Sequence, residues 1–160
     1  MSEINATAIK TVSVIGMGYI GLPTCAIFAS RDLDVIGIDV NPAVVEKVNR
    51  GEIHIVEPDL DGLIQKVVAN GRLRAATTPQ PADAFVIAVP TPITEDHKPD
   101  ISYVLSAAQS IAPVLKRGDL VVLESTSPVG TTRKMTALLA ELRPDLRFPN
   151  APSACCRARC

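Results

Sequence analysis

The chain has 160 residues, 47% of them hydrophobic and 21% charged, the balance of an ordinary globular protein of one-domain length. Lysine and arginine number 16 against 17 aspartates and glutamates, so no basic field recommends nucleic acid or an anionic membrane surface as partner. No apolar run approaches the roughly 20 residues of a membrane span and the N-terminus lacks a signal-peptide core, so a cytoplasmic protein is expected.

Residues 1–10 carry no motif and read as a lead-in. The apolar run Val12 to Ile15 predicts a strand, and a helix is expected from near Tyr19, with Ile20, Thr24, Ile27 and Phe28 at the spacing of a face that packs on a sheet. Pro23 sits awkwardly there, just beyond the first turn, where it should remove a helical hydrogen bond. Val35 to Val40 reads as a second strand, a near-continuous apolar run as expected of a parallel strand covered on both faces. Asn41-Pro42 then caps and opens a second helix with Val44, Val45 and Val48 inward and Gly51 as its stop. Asp59 is placed to cap a third helix carrying Leu63, Ile64, Val67 and Val68, ended by Asn70-Gly71. Strands follow at Leu73 to Ala76 and Ala84 to Val89, the latter running into Pro90-Thr91-Pro92. A helix bearing Val104, Leu105, Ala108, Ile111, Ala112 and Leu115, a strand at Leu120 to Glu124 and a last helix bearing Met135, Leu138, Leu139 and Leu142 complete the pattern. Strands alternating with helices specify an α/β fold, a single-domain, Rossmann-type, doubly wound parallel sheet with right-handed crossovers. Ligands then gather beyond the carboxyl ends of the strands, here after Ile15, Val89 and Glu124.

Gly16, Gly18 and Gly21 spell GxGxxG directly after the first strand, and Asp39 closes the second strand about 20 residues further on, as a dinucleotide fingerprint requires. The first glycine makes the tight turn, the second lets backbone approach a pyrophosphate, and the third lets helix pack on strand. The diphosphate would lie at the N-terminus of the following helix, where free N–H groups and the helix dipole favour an anion. Asp39 would accept hydrogen bonds from the adenosine ribose and repel a 2′-phosphate, and no arginine follows it, so NAD rather than NADP is the expected cofactor. The competing reading of the glycines alone is a turn without a ligand.

Of four cysteines, Cys155, Cys156 and Cys160 crowd the C-terminal tail and Cys25 stands alone in the first helix. That is no secreted disulfide framework, CCxxxC without histidine is poor zinc spacing, and no metal is expected. Cys25 reads as a small apolar packing residue. His54, Glu57 and His97 read as structural or solvated, not catalytic.

Four phrases occur in order: VIGMGYIGLP, GEIHIVEPDL, AVPTP followed by PDISYV, and ESTSPVGTT. Together, over about Thr11 to Pro149, they resemble the NAD-binding N-terminal domain of the UDP-glucose/GDP-mannose dehydrogenase family. GEIHIVEPDL and ESTSPVG point to the branch acting on UDP-N-acetyl-D-mannosamine. The resemblance implies an NAD-dependent, four-electron oxidation of the sugar C6 alcohol to a carboxylate, with a UDP-sugar as substrate and a homo-oligomeric assembly. On matching positions it implies cofactor contacts at Tyr19, Ile20, Asp39, Thr91 and Thr132, beside Gly16, Gly18 and Gly21 of the fingerprint, and a water-positioning role for Thr126. From the residues alone, Thr91 could instead terminate a strand and Thr132 cap a helix.

Carrying an alcohol to an acid through an unreleased aldehyde needs a thiolate to capture that aldehyde. In the family this cysteine, a lysine and an acidic residue lie well beyond the first domain. After RFP the sequence turns to NAPSACCRARC, which no longer resembles the family, so residues 150–160 are expected to be a foreign or out-of-frame tail, disordered by default, on a chain inactive alone. The alternative is a non-catalytic nucleotide-binding or interaction module. A relative of the 3-hydroxyacid dehydrogenases would share the glycines but not PTP or ESTSPVG.

Overall fold

A computed structural model describes residues 8–95 and 97–148, together with the backbone of 155–157. In chain order the elements are β1 (Thr11–Ile15), α1 (Gly21–Ser30), β2 (Asp34–Ile38), α2 (Pro42–Asn49), α3 (Leu60–Ala69), β3 (Leu73–Ala76), β4 (Ala84–Ile87), α4 (Ser102–Ile111), β5 (Leu120–Leu123), α5 (Thr131–Leu142) and β6 (Cys155–Arg157). The sheet order is β3-β2-β1-β4-β5-β6, with the first five strands parallel and β6 antiparallel to β5. The chain therefore winds one way from β1 through β3 and the other way from β4 onward. This makes the gap between β1 and β4 the point where the strand order reverses, and a crevice opens there in such sheets.

Alternation along each strand divides the core in two. Val12, Val14, Val35, Ala84 and Val86 face a layer holding Leu22, Cys25, Ala26 and Ala29 of α1, Val48 of α2 and Leu60, Ile64 and Val67 of α3. Ile15, Ile36, Ile38, Phe85, Ile87, Val121 and Leu123 face α4 and α5 through Val104, Ala107, Ala108, Ile111, Met135 and Leu139. Because both faces are covered, almost every position in β1, β2 and β4 is buried.

Several local expectations need correction. The packing face of α1 is Gly21, Leu22, Cys25, Ala26 and Ala29, not the predicted stripe, and Ile20 and Ile27 are more than half exposed. The inner face combines Leu22 with small residues that let the helix approach the sheet closely, and of the predicted stripe Phe28 is partly buried against the same layer. The helix also begins at Gly21 rather than near Tyr19, which places Pro23 within the first turn, where backbone N–H groups largely lack intrahelical partners and a missing one costs little. Asp59 does not cap α3 with its side chain: its backbone is left-handed (φ 62°) and makes no side-chain cap bond. By contrast, Asn41 Oδ1 accepts the Ala43 N–H at 3.0 Å with Pro42 opening α2, and Gly51 and Gly71 follow their helices with positive φ. Of the segment 150–160, expected to lack order, most lies outside the described residues. Where it is described, Cys155–Arg157 pairs backbone to backbone with Leu120–Val122.

Candidate functional site

Three loops meet at the reversal point. The Gly16 N–H donates to the Ile38 carbonyl at 2.7 Å, the Ala88 N–H to the Ile15 carbonyl at 2.9 Å and the Glu124 N–H to the Ile87 carbonyl at 2.8 Å, so each loop leaves its strand from a tied position. Gly16 turns with φ 93°, and a Cβ there would meet the Ala88 carbonyl oxygen at 2.8 Å. A Cβ on Gly21 would collide with the Gly16 carbonyl oxygen, so the start of α1 is packed directly on the end of β1. Gly18 differs from both, because a Cβ there meets nothing within 4 Å. It borders instead a cleft of about 670 Å³ lined by Gly18–Ile20, Ala88–Thr91 and Glu124–Thr126. Bare backbone at the cleft wall leaves room that any side chain would occupy, which is the geometry a diphosphate needs at a glycine loop.

Asp39, just beyond β2, is held on both oxygens: Oδ2 accepts the Met17 N–H at 3.1 Å and Oδ1 the Asn41 N–H at 3.0 Å. A carboxylate has about four acceptor positions, so two remain for a ligand's hydroxyl groups. The glycine loop and the acid are thus locked to one another rather than merely adjacent. Val40 beside it is 91% exposed, an apolar residue left uncovered next to the acid.

On the other side of the loop, Thr91 Oγ1 donates to the Thr126 carbonyl and Ser125 Oγ donates to the Val89 carbonyl at 2.7 Å, lacing the loops after β4 and β5 together. Thr24 Oγ1 of α1 donates to Glu124 Oε2 at 3.1 Å, which ties the start of that helix to the same rim.

Among the residues singled out from sequence, the cleft brings together Gly18, Tyr19, Ile20, Thr91 and Thr126, with Tyr19 and Ile20 more than half exposed along it. Gly16, Gly21 and Asp39 lie behind and beside the loop rather than on the cleft wall, and Thr132 sits in the first turn of α5, half-buried, away from the lining. The alternatives for the two threonines do not hold. Three residues, Ala88 to Pro90, lie between Thr91 and the end of β4, and the cap position of α5 is Gly130, with no side-chain cap. Glu57 lies on a separate groove with Pro23 and Ile27, and His97 is an exposed loop residue; neither touches the cleft. His54 Nδ1 is buried without a hydrogen-bond partner, also outside the cleft lining. Cys25 is fully buried against Gly37, and burial pushes its thiol far above the ordinary range, as befits a packing residue.

Three participants escaped the sequence reading. Gly37 is needed because a Cβ there would collide with Met17 Sδ, and Met17, fully buried, anchors the glycine loop on β2. Glu124 and Ser125 line the cleft, but only the pairing of β4 with β5 brings them to it. For Gly37, a glycine interrupting an apolar strand was the available signal of close approach.

The profile of the UDP-glucose/GDP-mannose dehydrogenase family, NAD binding domain, matches residues 10–151. The chain is 66% identical over 139 residues to UDP-N-acetyl-D-mannosamine dehydrogenase of Escherichia coli K12, covering 87% of this chain and 33% of that protein. It is 60% identical over 141 residues to NDP-N-acetyl-D-galactosaminuronic acid dehydrogenase of Ralstonia solanacearum, covering 88% and 33%. The structure of UDP-D-ManNAc dehydrogenase from Pyrococcus horikoshii superposes with a TM-score of 0.81 at 42% identity, covering 84% of this chain and 32% of that one. The chain thus spans about a third of the length of the curated relatives it matches. With the fingerprint glycines, the tethered Asp39 and the laced cleft in one Rossmann sheet, the chain belongs to the UDP-glucose/GDP-mannose dehydrogenase family, and the part in hand is that family's NAD-binding domain.

Proposed function

We infer that this chain supplies the cofactor-binding part of a UDP-N-acetyl-D-mannosamine 6-dehydrogenase, an NAD-dependent oxidation of a sugar alcohol to a uronate carried out in the cytoplasm by a homo-oligomer. The observation that carries the reading is the open backbone of Gly18 on a cleft at the strand-order reversal, flanked by a carboxylate already oriented by two backbone N–H groups. The choice of sugar is supported by the 66% identity to a protein named for that substrate, against 60% for one named for an N-acetylgalactosaminuronic acid.

In this reading the amides at the start of α1 bind the diphosphate, while Gly16 and Gly21 keep the loop tight enough to present them. Tyr19 and Ile20 cover the dinucleotide from the cleft wall, and Asp39 accepts from the adenosine ribose and rejects a 2′-phosphate by charge repulsion. When bound, the cofactor supplies a hydride acceptor. Thr91 holds the loops after β4 and β5 together beneath it, Thr126 positions a water at the rim, and Thr132 contributes from the start of α5. Cys25, a free cysteine, is sealed in the core and cannot attack an aldehyde.

The test is titration calorimetry of the chain with NAD, followed by absorbance at the NADH band after adding the UDP-sugar. Binding of NAD with no NADH formed is expected. Absence of NAD binding would remove the cofactor reading, and NADH production would remove the assignment of catalytic power to residues outside this chain.

A further inference from the structure

Glu124 carries the one charge among the described residues lining the cleft, and neither the fingerprint nor the family resemblance gave it a part. It stands one residue beyond β5, fixed by its own N–H to Ile87 and by Thr24 Oγ1, which donates to Oε2 and leaves Oε1 free. Two of the neighbouring hydroxyls have spent their protons within the protein, Ser125 on the Val89 carbonyl and Thr91 on the Thr126 carbonyl. An acceptor-only anion in such a wall suits a part of a ligand that is rich in O–H donors and free of phosphate.

The sheet determines which part of a dinucleotide that is. Asp39 follows β2, the diphosphate loop follows β1, and Glu124 follows β5, two strands further on past β4. At roughly 4.8 Å between strands, the two carboxylates stand about three spacings apart on opposite sides of the glycine loop. If the adenosine ribose lies at Asp39 and the diphosphate at Gly18, the second nucleoside must run along the cleft toward β4 and β5. We propose that Glu124 is the counterpart of Asp39 for that second nucleoside, its Oε1 accepting hydrogen bonds from the ribose hydroxyls of the nicotinamide half while Thr24 keeps the carboxylate turned into the cleft. The inference rests on the NAD reading above and adds to it a specific contact for the half of the cofactor that reacts.

Calorimetry of the full chain with NAD, ADP-ribose and ADP tests it, since ADP-ribose keeps the second ribose without the nicotinamide ring and ADP lacks both. Glu124→Ala should weaken NAD and ADP-ribose by about tenfold, the usual loss for a charge-assisted hydrogen bond, and leave ADP within twofold. Glu124→Gln, which keeps the shape and one acceptor, should fall between parent and Glu124→Ala, and its melting temperature checks that folding is intact. Equal weakening of ADP would mean that Glu124 acts through α1, loss confined to NAD would mean that it meets the nicotinamide ring, and no change in any ligand would mean that it meets nothing. Each of those results overturns the proposal while leaving NAD binding in place, whereas a parent chain that binds none of the three ligands overturns the cofactor reading itself.

Discussion

Gly18 and Gly21 lie three positions apart in one motif, yet their environments make opposite demands. Gly21 has the Gly16 carbonyl where a side chain would stand, so Gly21→Val must push α1 off the sheet; overpacking of this kind costs about 1–3 kcal/mol or more, and a chemical melt should show it. Gly18 has open space there and no positive φ, so Gly18→Val should melt within a degree or two of the parent while losing NAD binding in calorimetry. A Gly18 variant that binds NAD unaltered would take the diphosphate away from the loop. At Asp39, Asp39→Ala removes an acceptor already aligned by Met17 and Asn41 and should weaken NAD by about tenfold or more, while narrowing the gap to NADP as the repelling charge disappears. A titration with both cofactors reads the two effects separately. These residues were legible in the sequence because each answers to a backbone or charge constraint local to one turn. Glu124 was not: its partner Thr24 is 100 positions away, and nothing local marks such a pair.

At the scale of elements, what joins β1 to β4 is as informative as what fills them. Asp83, just ahead of β4, accepts the Lys10 and Thr11 N–H groups on one oxygen, both at 2.9 Å, and so clamps the entry to β1. Those two backbone hydrogen bonds hold its carboxyl below the ordinary range. An acid whose folded pKa is depressed adds stability that is whole above its unfolded value, about 3.9, and is lost as pH falls through the lower folded value. Asp83→Asn should therefore cost about 1 kcal/mol at pH 7, discounted for its partial exposure, and the difference from the parent should vanish as melts are taken from pH 5 down to below the folded pKa. A difference that persists at the lowest pH would point to packing rather than charge. Strand and helix order could be read from periodicity and punctuation, as with Asn41-Pro42 and Gly51. The inward face of α1 could not, because hydropathy ranks Ile27 above Cys25 and Ala26, whereas close packing on the sheet favours the smaller pair and leaves Ile27 exposed.

For the molecule as a whole, the cleft exists only once β1, β4 and β5 lie side by side, so its lining comes from positions 18 to 126 and no short stretch of sequence contains it. Alternation of strands and helices was enough to predict a parallel sheet with ligands beyond the strand ends at Ile15, Val89 and Glu124, but the strand order, and with it the reversal point between β1 and β4, came only with the assembled sheet. Nor could alternation show how the rim is laced, because Thr91 to Thr126 and Thr24 to Glu124 are contacts made by the finished sheet. This has a thermodynamic consequence. A ligand gripping the ends of β1, β2 and β5 binds only the folded chain, so at 100 times its dissociation constant it should add about 2.7 kcal/mol to the unfolding free energy. For a chain of this size that corresponds to a rise in melting temperature of roughly 5–10 °C. Differential scanning calorimetry with and without NAD should show the rise in the parent and none in Gly18→Val. A parent that melts at the same temperature in saturating NAD, with affinity intact in solution, would mean that the unfolded chain binds the cofactor as well as the folded one does, so that its site is not built by the assembled strand ends.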